Sequence, residues 1–296
     1  MRDGAGLSRG KPYDSARSHM NGSSRHFGPV AALLALCLTT APAAAKTISI
    51  TITPSAEIRS GALTVRLSIS NLGDEAAHSV TPTLYFRDRE ARGKGTPSLA
   101  PNASLQETLT LPAADLTSGR WPYRVSVDYT DANQYPFQAL QVLALAVGNP
   151  LPAKVAASET KSTTIATSGS LSVKLKNLAG VSRTAVVAVV VPDSLEITQK
   201  IPAVSLSGWE EKTISTQVVN RTALAGSRLP VFVIVEYDDG PTHQAVVSQG
   251  RIEIVPMGSF FARQRILLWV VALILLLGWG GFILGRVLRR RRGHVA

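Results

Sequence analysis

Cysteine is almost missing from this chain of 296 residues: the only one is Cys37. It lies in an N-terminal apolar run that reads as a cleaved segment, so the mature protein is expected to carry no thiol. That excludes disulfides, a thiolate nucleophile and a Cys-based zinc site. Histidine is scarce as well. Between the two chain ends only His78 and His243 occur, far apart and outside any metal-ligand spacing. Both are expected as exposed loop side chains. No Gly-x-Ser-x-Gly, His-Glu-x-x-His or phosphate-binding glycine loop is present. These absences point away from an enzyme and imply no cofactor and no metal. A helical pattern is lacking too, since nowhere in 46–255 do apolar residues recur at helical spacing over ten residues.

The formal net charge of +11 would suggest a nucleic-acid or anionic partner. Its distribution removes that suggestion. Residues 1–45 hold five Lys/Arg and two acids, residues 263–296 hold seven Arg and no acid, and residues 46–262 hold nineteen Lys/Arg against eighteen acids. The body is therefore balanced and lacks the basic stripe that nucleic-acid binding needs.

Two long apolar runs frame this body. Pro29 to Thr40 has signal-peptide length and is followed by Ala41-Pro42-Ala43-Ala44-Ala45, so 1–45 reads as a signal peptide cut before Lys46. Met20 would give a more ordinary signal length than Met1. Ile266 to Gly285 has no charge; about 20 residues at about 1.5 Å each span roughly 30 Å, one hydrocarbon core. Arg286 and Arg289 to Arg292 follow it, and only Arg263 and Arg265 precede it. The arginine bias places the C-terminus in the cytoplasm and the body outside. The expected layout is a bacterial single-pass type I membrane protein with a periplasmic or extracellular ectodomain, a juxtamembrane linker 256–265, a transmembrane helix 266–285 and a basic tail 286–296. The lipid bilayer is the first expected partner.

The body repeats itself. Gly61, Leu63, Val65, Arg66 and Leu67 match Gly169, Leu171, Val173, Lys174 and Leu175 at an offset of 108. Asn71-Leu72 matches Asn177-Leu178 at 106; Val125, Val127, Asp128, Tyr129 and Asp131 match Val233, Val235, Glu236, Tyr237 and Asp239 at 108; Gln138-Ala139 matches Gln244-Ala245 at 106. The shifts of two are expected at loops. Each copy shows period-two alternation, as in Leu63, Val65, Leu67 and Ile69 or Val231, Val233, Val235 and Tyr237, which is the strand signal. About seven such runs in about 100 residues fit an immunoglobulin-like sandwich. The expected fold is all-β: sandwiches at 46–147 and 155–255, joined by the Pro/Gly linker 148–154, plus the C-terminal transmembrane helix.

The pattern Gly61-x-Leu63-x-Val65-Arg66-Leu67 with Asn71-Leu72, and Val125-x-Val127-Asp128-Tyr129-x-Asp131 near the end of the copy, resembles the CARDB-like and NEW3-type sandwich modules of bacterial envelope proteins. The resemblance implies binding or spacing and brings no catalytic residues with it.

The candidate contact residues are therefore aromatic. Trp121 stands beside a repeated proline, and Tyr135-Pro136-Phe137 has no counterpart in the second copy. Trp209 is the other ectodomain tryptophan. The carboxylates Asp128, Asp131, Glu236, Asp238 and Asp239 sit where strands end and read as turn chemistry, ahead of a weak calcium site around Asp128, Asp131 and Asn133, with Asp128 and Glu236 on solvent faces. In the span, Gly278, Gly281 and Gly285 offer a small-residue face for a homodimer or a membrane-subunit partner. The expected function is a non-enzymatic envelope protein presenting its sandwiches to a protein or glycan. The alternative is an accessory subunit of an inner-membrane transporter or polysaccharide-export complex, held through its helix.

Overall fold

The computed structural model describes residues 47–158, 160, 163–257, 269–279, 282 and 286. The expected signal segment, Gly281, Gly285 and the last ten residues of the tail lie outside the described residues. Residues 269–279 are helical. No helix among the described residues is long and apolar enough to cross a membrane, and residues 266–268, 280, 281 and 283–285 of the expected span are not described. A side chain added at Gly278 would meet no atom within 4 Å.

All other regular elements among the described residues are strands. In the first half these are β1 (Ile50–Arg59), β2 (Ala62–Asn71), β3 (Ala77–Phe86), β4 (Arg89–Arg92), β5 (Thr96–Leu99), β6 (Ser104–Pro112), β7 (Gly119–Thr130) and β8 (Pro136–Val147). The second half has β9 (Val155–Ala157), β10 (Thr163–Ile165), β11 (Ser168–Asn177), β12 (Arg183–Val190), β13 (Leu195–Ile197), β14 (Val204–Leu206), β15 (Glu211–Asn220), β16 (Arg228–Asp239) and β17 (Thr242–Ile254).

Alternation sets what each strand buries. On β2, Leu63, Val65, Leu67 and Ile69 are buried while the residues between them are not, because successive Cβ atoms point to opposite faces. The sheet β1-β2-β6 closes over β3 and β7, and Leu84, Phe86, Val125 and Val127 complete the first core. In the second half the sheet β13-β15-β11-β9 lies over β12, β16 and β17, with cores built on Val173, Leu175, Val233 and Val235 and on Leu171, Val218, Val231 and Ile252.

One buried asparagine recurs in each half. Asn71 ends β2, and its Nδ2 donates to the carbonyls of Glu75 and Leu99 while its Oδ1 accepts from the amide of Gly73. Asn177 ends β11 and does the same with Val181, Leu206, Ser207 and the amide of Ala179. Each side chain thus supplies partners to a turn that could not complete a ladder of its own.

The repeat differs from its sequence reading in two places. From their shared terminal asparagine, β2 and β11 correspond at 106 along their whole length. The sequence match at 108 over Gly61–Leu67 is therefore two residues out of the structural register, and the offset of two is not an insertion in the loop after the strand. The second difference is in the last hairpin of each half. β7 and β8 are joined by five residues, 131–135, and β16 and β17 by two, Gly240-Pro241. A difference of three is odd, so Gln138 and Gln244 point to opposite faces of their sheets despite their matching sequence. In the tight turn Gly240 has φ +64 and a proline follows, which is the type II′ pattern.

Candidate functional site at the junction of the two halves

The most informative strand is β16, because both of its faces are covered. Val231, Val233 and Val235 enter the second half's cores, whereas Phe232 and Ile234 face the other way and pack on Leu140 and Val142 of β8. The signal for this was the unbroken apolar run from Val231 to Val235, which marks burial on two faces. Reading it as simple alternation accounts for half of it only.

At one end of this apolar contact the backbones meet. β7 and β17 pair in parallel at Gly119 and His243, and the His243 amide donates to the Ser118 carbonyl at 3.2 Å. A Cβ on Gly119 would run into the His243 carbonyl oxygen. The approach brings Trp121 onto His243, with ring centroids 4.0 Å apart and planes 22° from parallel. The indole Nε1 donates to the Thr117 carbonyl at 3.0 Å, and the Arg87 guanidinium lies 5.5 Å from the ring centroid. His243 Nδ1 is 2.9 Å from Asp238 and its Nε2 is 3.2 Å from Glu236. His243 is therefore a half-buried strand residue and not an exposed loop histidine, and His78 also lies on a strand, β3. Glu236 is only partly exposed, being held by that imidazole. The linker is tied to the same place. Arg120 Nη1 donates to the Leu151 carbonyl at 2.6 Å and to Gln244 Oε1 at 3.0 Å, and the Tyr237 hydroxyl accepts from the amides of Lys154 and Val155.

At the other end, Gln138 Nε2 donates to Asp128 at 2.7 Å and to Asp193 at 3.0 Å. The Tyr135 hydroxyl donates to the Thr222 carbonyl, so this residue reaches across to the second half. Phe137 stacks on Tyr129 with centroids 5.6 Å apart, and burial pushes the Tyr129 phenol up to about 12. The predicted aromatics thus fall at opposite ends of one junction. Trp121 lies at one end and Tyr135 with Phe137 at the other, each half-buried, while Trp209 is 67% exposed on a loop of the second half.

Two grooves open along this junction. One, of about 300 Å³, is lined by Tyr85, Arg87, Trp121, Arg124, Ile234 and Glu236. The other, of about 390 Å³, involves Ser79, Arg92, Asp128, Phe137, Asp193 and Thr222. Between them runs the outer face of β7, with Arg124, Ser126, Asp128 and Thr130 in alternation. Arg124 Nε, Ser126 Oγ and Thr130 Oγ1 are buried there without a hydrogen-bond partner among the described residues. This polar row was visible as a period-two pattern, but its burial was not.

The carboxylate clusters do structural work. Asp131 Oδ1 accepts from the amides of Asn133 and Tyr135 at 2.8 and 2.9 Å, closing the hairpin loop. Asp239 is bound by Lys154 and Arg183, each at 2.9 Å, and these hydrogen bonds hold its carboxyl below the usual aspartate range. Among the described residues no group of three or more His, Cys, Asp or Glu could hold a metal ion.

Residues 46–133 match the CARDB domain family. The matched stretch covers β1 to β7, an all-β, immunoglobulin-like arrangement. No curated protein matches the chain. Among solved structures it is similar to an alpha-2-macroglobulin mutant from Salmonella (16% identity, 71% of this chain and 16% of that one, TM-score 0.30). It is also similar to a protein of unknown function from Porphyromonas gingivalis (10%, 70% and 99%, 0.28) and to the periplasmic chaperone SfaE (10%, 70% and 100%, 0.26). The chain spans less than a quarter of the length of the alpha-2-macroglobulins it matches. Likenesses at these scores say nothing of function.

Proposed function

We propose that this chain is a non-enzymatic envelope protein in which two immunoglobulin-like modules, one of them CARDB-matched, are held side by side and present a binding surface to a protein or glycan. Residues 266–285 anchor it in the inner membrane, with the arginine-rich end in the cytoplasm and the modules outside. The supporting observation is the junction. Modules joined only by a linker leave their outer sheet faces to solvent, whereas here Phe232, Ile234, Leu140 and Val142 cover one another. A fixed arrangement of two modules suits a scaffold or a composite binding surface, because little ordering remains to be done on binding.

The test is site-specific photo-crosslinking of full-length protein in its own membranes, with the crosslinker at Arg87 beside the first groove and at Trp209 on the exposed loop. A discrete adduct from either position is expected. Intact, exported protein that yields no adduct at both positions would reduce the chain to a passive spacer. Extraction of the protein by alkaline carbonate would remove the membrane anchor from this account.

A further inference from the structure

The groove at the Trp121 end carries a charge pattern that the fold does not require. Arg124 projects from the outer face of β7 with its guanidinium 3.8 Å from the Tyr85 ring centroid, and its Nε is buried with no acceptor among the described residues. Arg87 stands on the turn between β3 and β4, over Trp121. Among the described residues neither guanidinium has a carboxylate within ion-pairing distance, although Glu236 lines the same groove. Glu236 instead faces His243 Nε2. A buried cationic donor with no acceptor is unfavourable, and Arg124 with its buried Nε, next to the exposed guanidinium of Arg87 and an aromatic wall, is suited to a planar carboxylate.

The rest of the groove narrows the ligand class. Glu236 still has acceptor capacity for hydroxyl groups. Ile234, Val190 and Pro122 give it an apolar wall, which suits the C–H face of a sugar ring. The volume of about 300 Å³ lies at the small end of ligand sites and has room for about one ring. A polyanion would meet the Glu236 carboxylate with its second charge, and a bare phosphate would use neither Glu236 nor the apolar wall. We propose that this groove binds a sugar acid, with its carboxylate on Arg87 and Arg124, its hydroxyls on Glu236 and its ring against Ile234. The assignment rests on the reading of the chain as a binding module and names the ligand of one of its grooves.

Isothermal titration of the full-length protein in detergent with galacturonic acid tests this, with galactose and inorganic phosphate as comparison arms. Saturable binding of galacturonic acid is expected, weaker by about tenfold or more for galactose and for phosphate, and weaker by about tenfold, roughly 1.4 kcal/mol, in Arg124→Met and in Arg87→Met. Arg89→Met, at the start of β4 outside the groove, should bind as the parent does. Arg87 is exposed on a turn, so Arg87→Met keeps the test valid if Arg124→Met fails to fold. No saturable heat with galacturonic acid, or equal binding by the parent and Arg87→Met, would overturn the assignment. Phosphate binding as tight as galacturonic acid would also overturn it, leaving only an anion site. If galacturonic acid fails while the photo-crosslinked adduct persists, the ligand class is wrong and the binding-module reading stands.

Discussion

Replacing Phe232 by alanine probes the junction without touching either core. Its ring is 1% exposed and belongs to the cluster of Leu140, Val142 and Ile234 between the halves, while Val231, Val233 and Val235 on the other face of β16 are left in place. Truncating a fully buried phenylalanine costs about 3–5 kcal/mol, from lost transfer energy plus the cavity left behind. The described strand region is a little over 200 residues long, and for a unit of that size each kcal/mol moves the melting temperature by about 2–4 °C. The expected loss is therefore about 10 °C if the two halves melt together. Because the lost contacts join the halves, one calorimetric transition is expected of the parent and two of Phe232→Ala. Small-angle scattering should show a larger radius of gyration and a broader distance distribution. An unsplit transition shifted by less than about 1 kcal/mol, with unchanged scattering, is the outcome of an exposed surface residue. It would mean that the two halves do not pack through this cluster in solution, and the junction would have to be abandoned.

Gly119→Ala should weaken the same junction from the backbone side, since its Cβ would enter the space of the His243 carbonyl. Trp121 near-ultraviolet dichroism should lose intensity as its stack on His243 opens, and retention of the parent spectrum would contradict the close approach. Asn177→Ala leaves the carbonyls of Val181, Leu206 and Ser207 and the amide of Ala179 without their partner. A loss of about 1–3 kcal/mol in urea unfolding is expected, with a similar loss in Asn71→Ala. Asp239 gives an acid dependence. Its carboxyl titrates below the ordinary 3.8 because Lys154 and Arg183 hydrogen-bond the charged form. Its contribution is full above that value and disappears as the pH falls through the depressed one. Urea midpoints of the parent and Asp239→Asn should differ at pH 6 and converge toward pH 3; a gap that stays constant on acidification would show that the pair contributes nothing through ionisation.

Much of the fold was legible in the residues because strand faces are a local property. The alternation of Leu63, Val65, Leu67 and Ile69 sorts one strand into core and surface without reference to anything distant. The CARDB resemblance read from Gly61 to Leu72 and from Val125 to Asp131 holds for residues 46–133. The paired asparagines were also visible as a repeat, although their role in completing turns was not. Asp131 could be recognised as turn chemistry, since its partners lie within four residues.

The groove was not legible, because its parts come from Tyr85, Trp121, Arg124, Ile234 and Glu236, separated by up to about 150 residues. No local pattern states which distant surface will cover an outer sheet face. Even the signals that were present required the tertiary structure to be understood. The run Val231 to Val235 announces two buried faces but not what lies on the second, and the glutamines at 138 and 244 match in sequence yet face opposite ways. The sequence alone determined the all-β class, the inward face of most strands and the balanced charge of the body, since periodicity and composition settle these residue by residue. Only the tertiary structure decided that the two halves share a sheet through Gly119 and His243, and that Arg124 ends with a buried donor beside an aromatic wall. Both depend on where one outer face meets another, and that is fixed by packing across the whole chain.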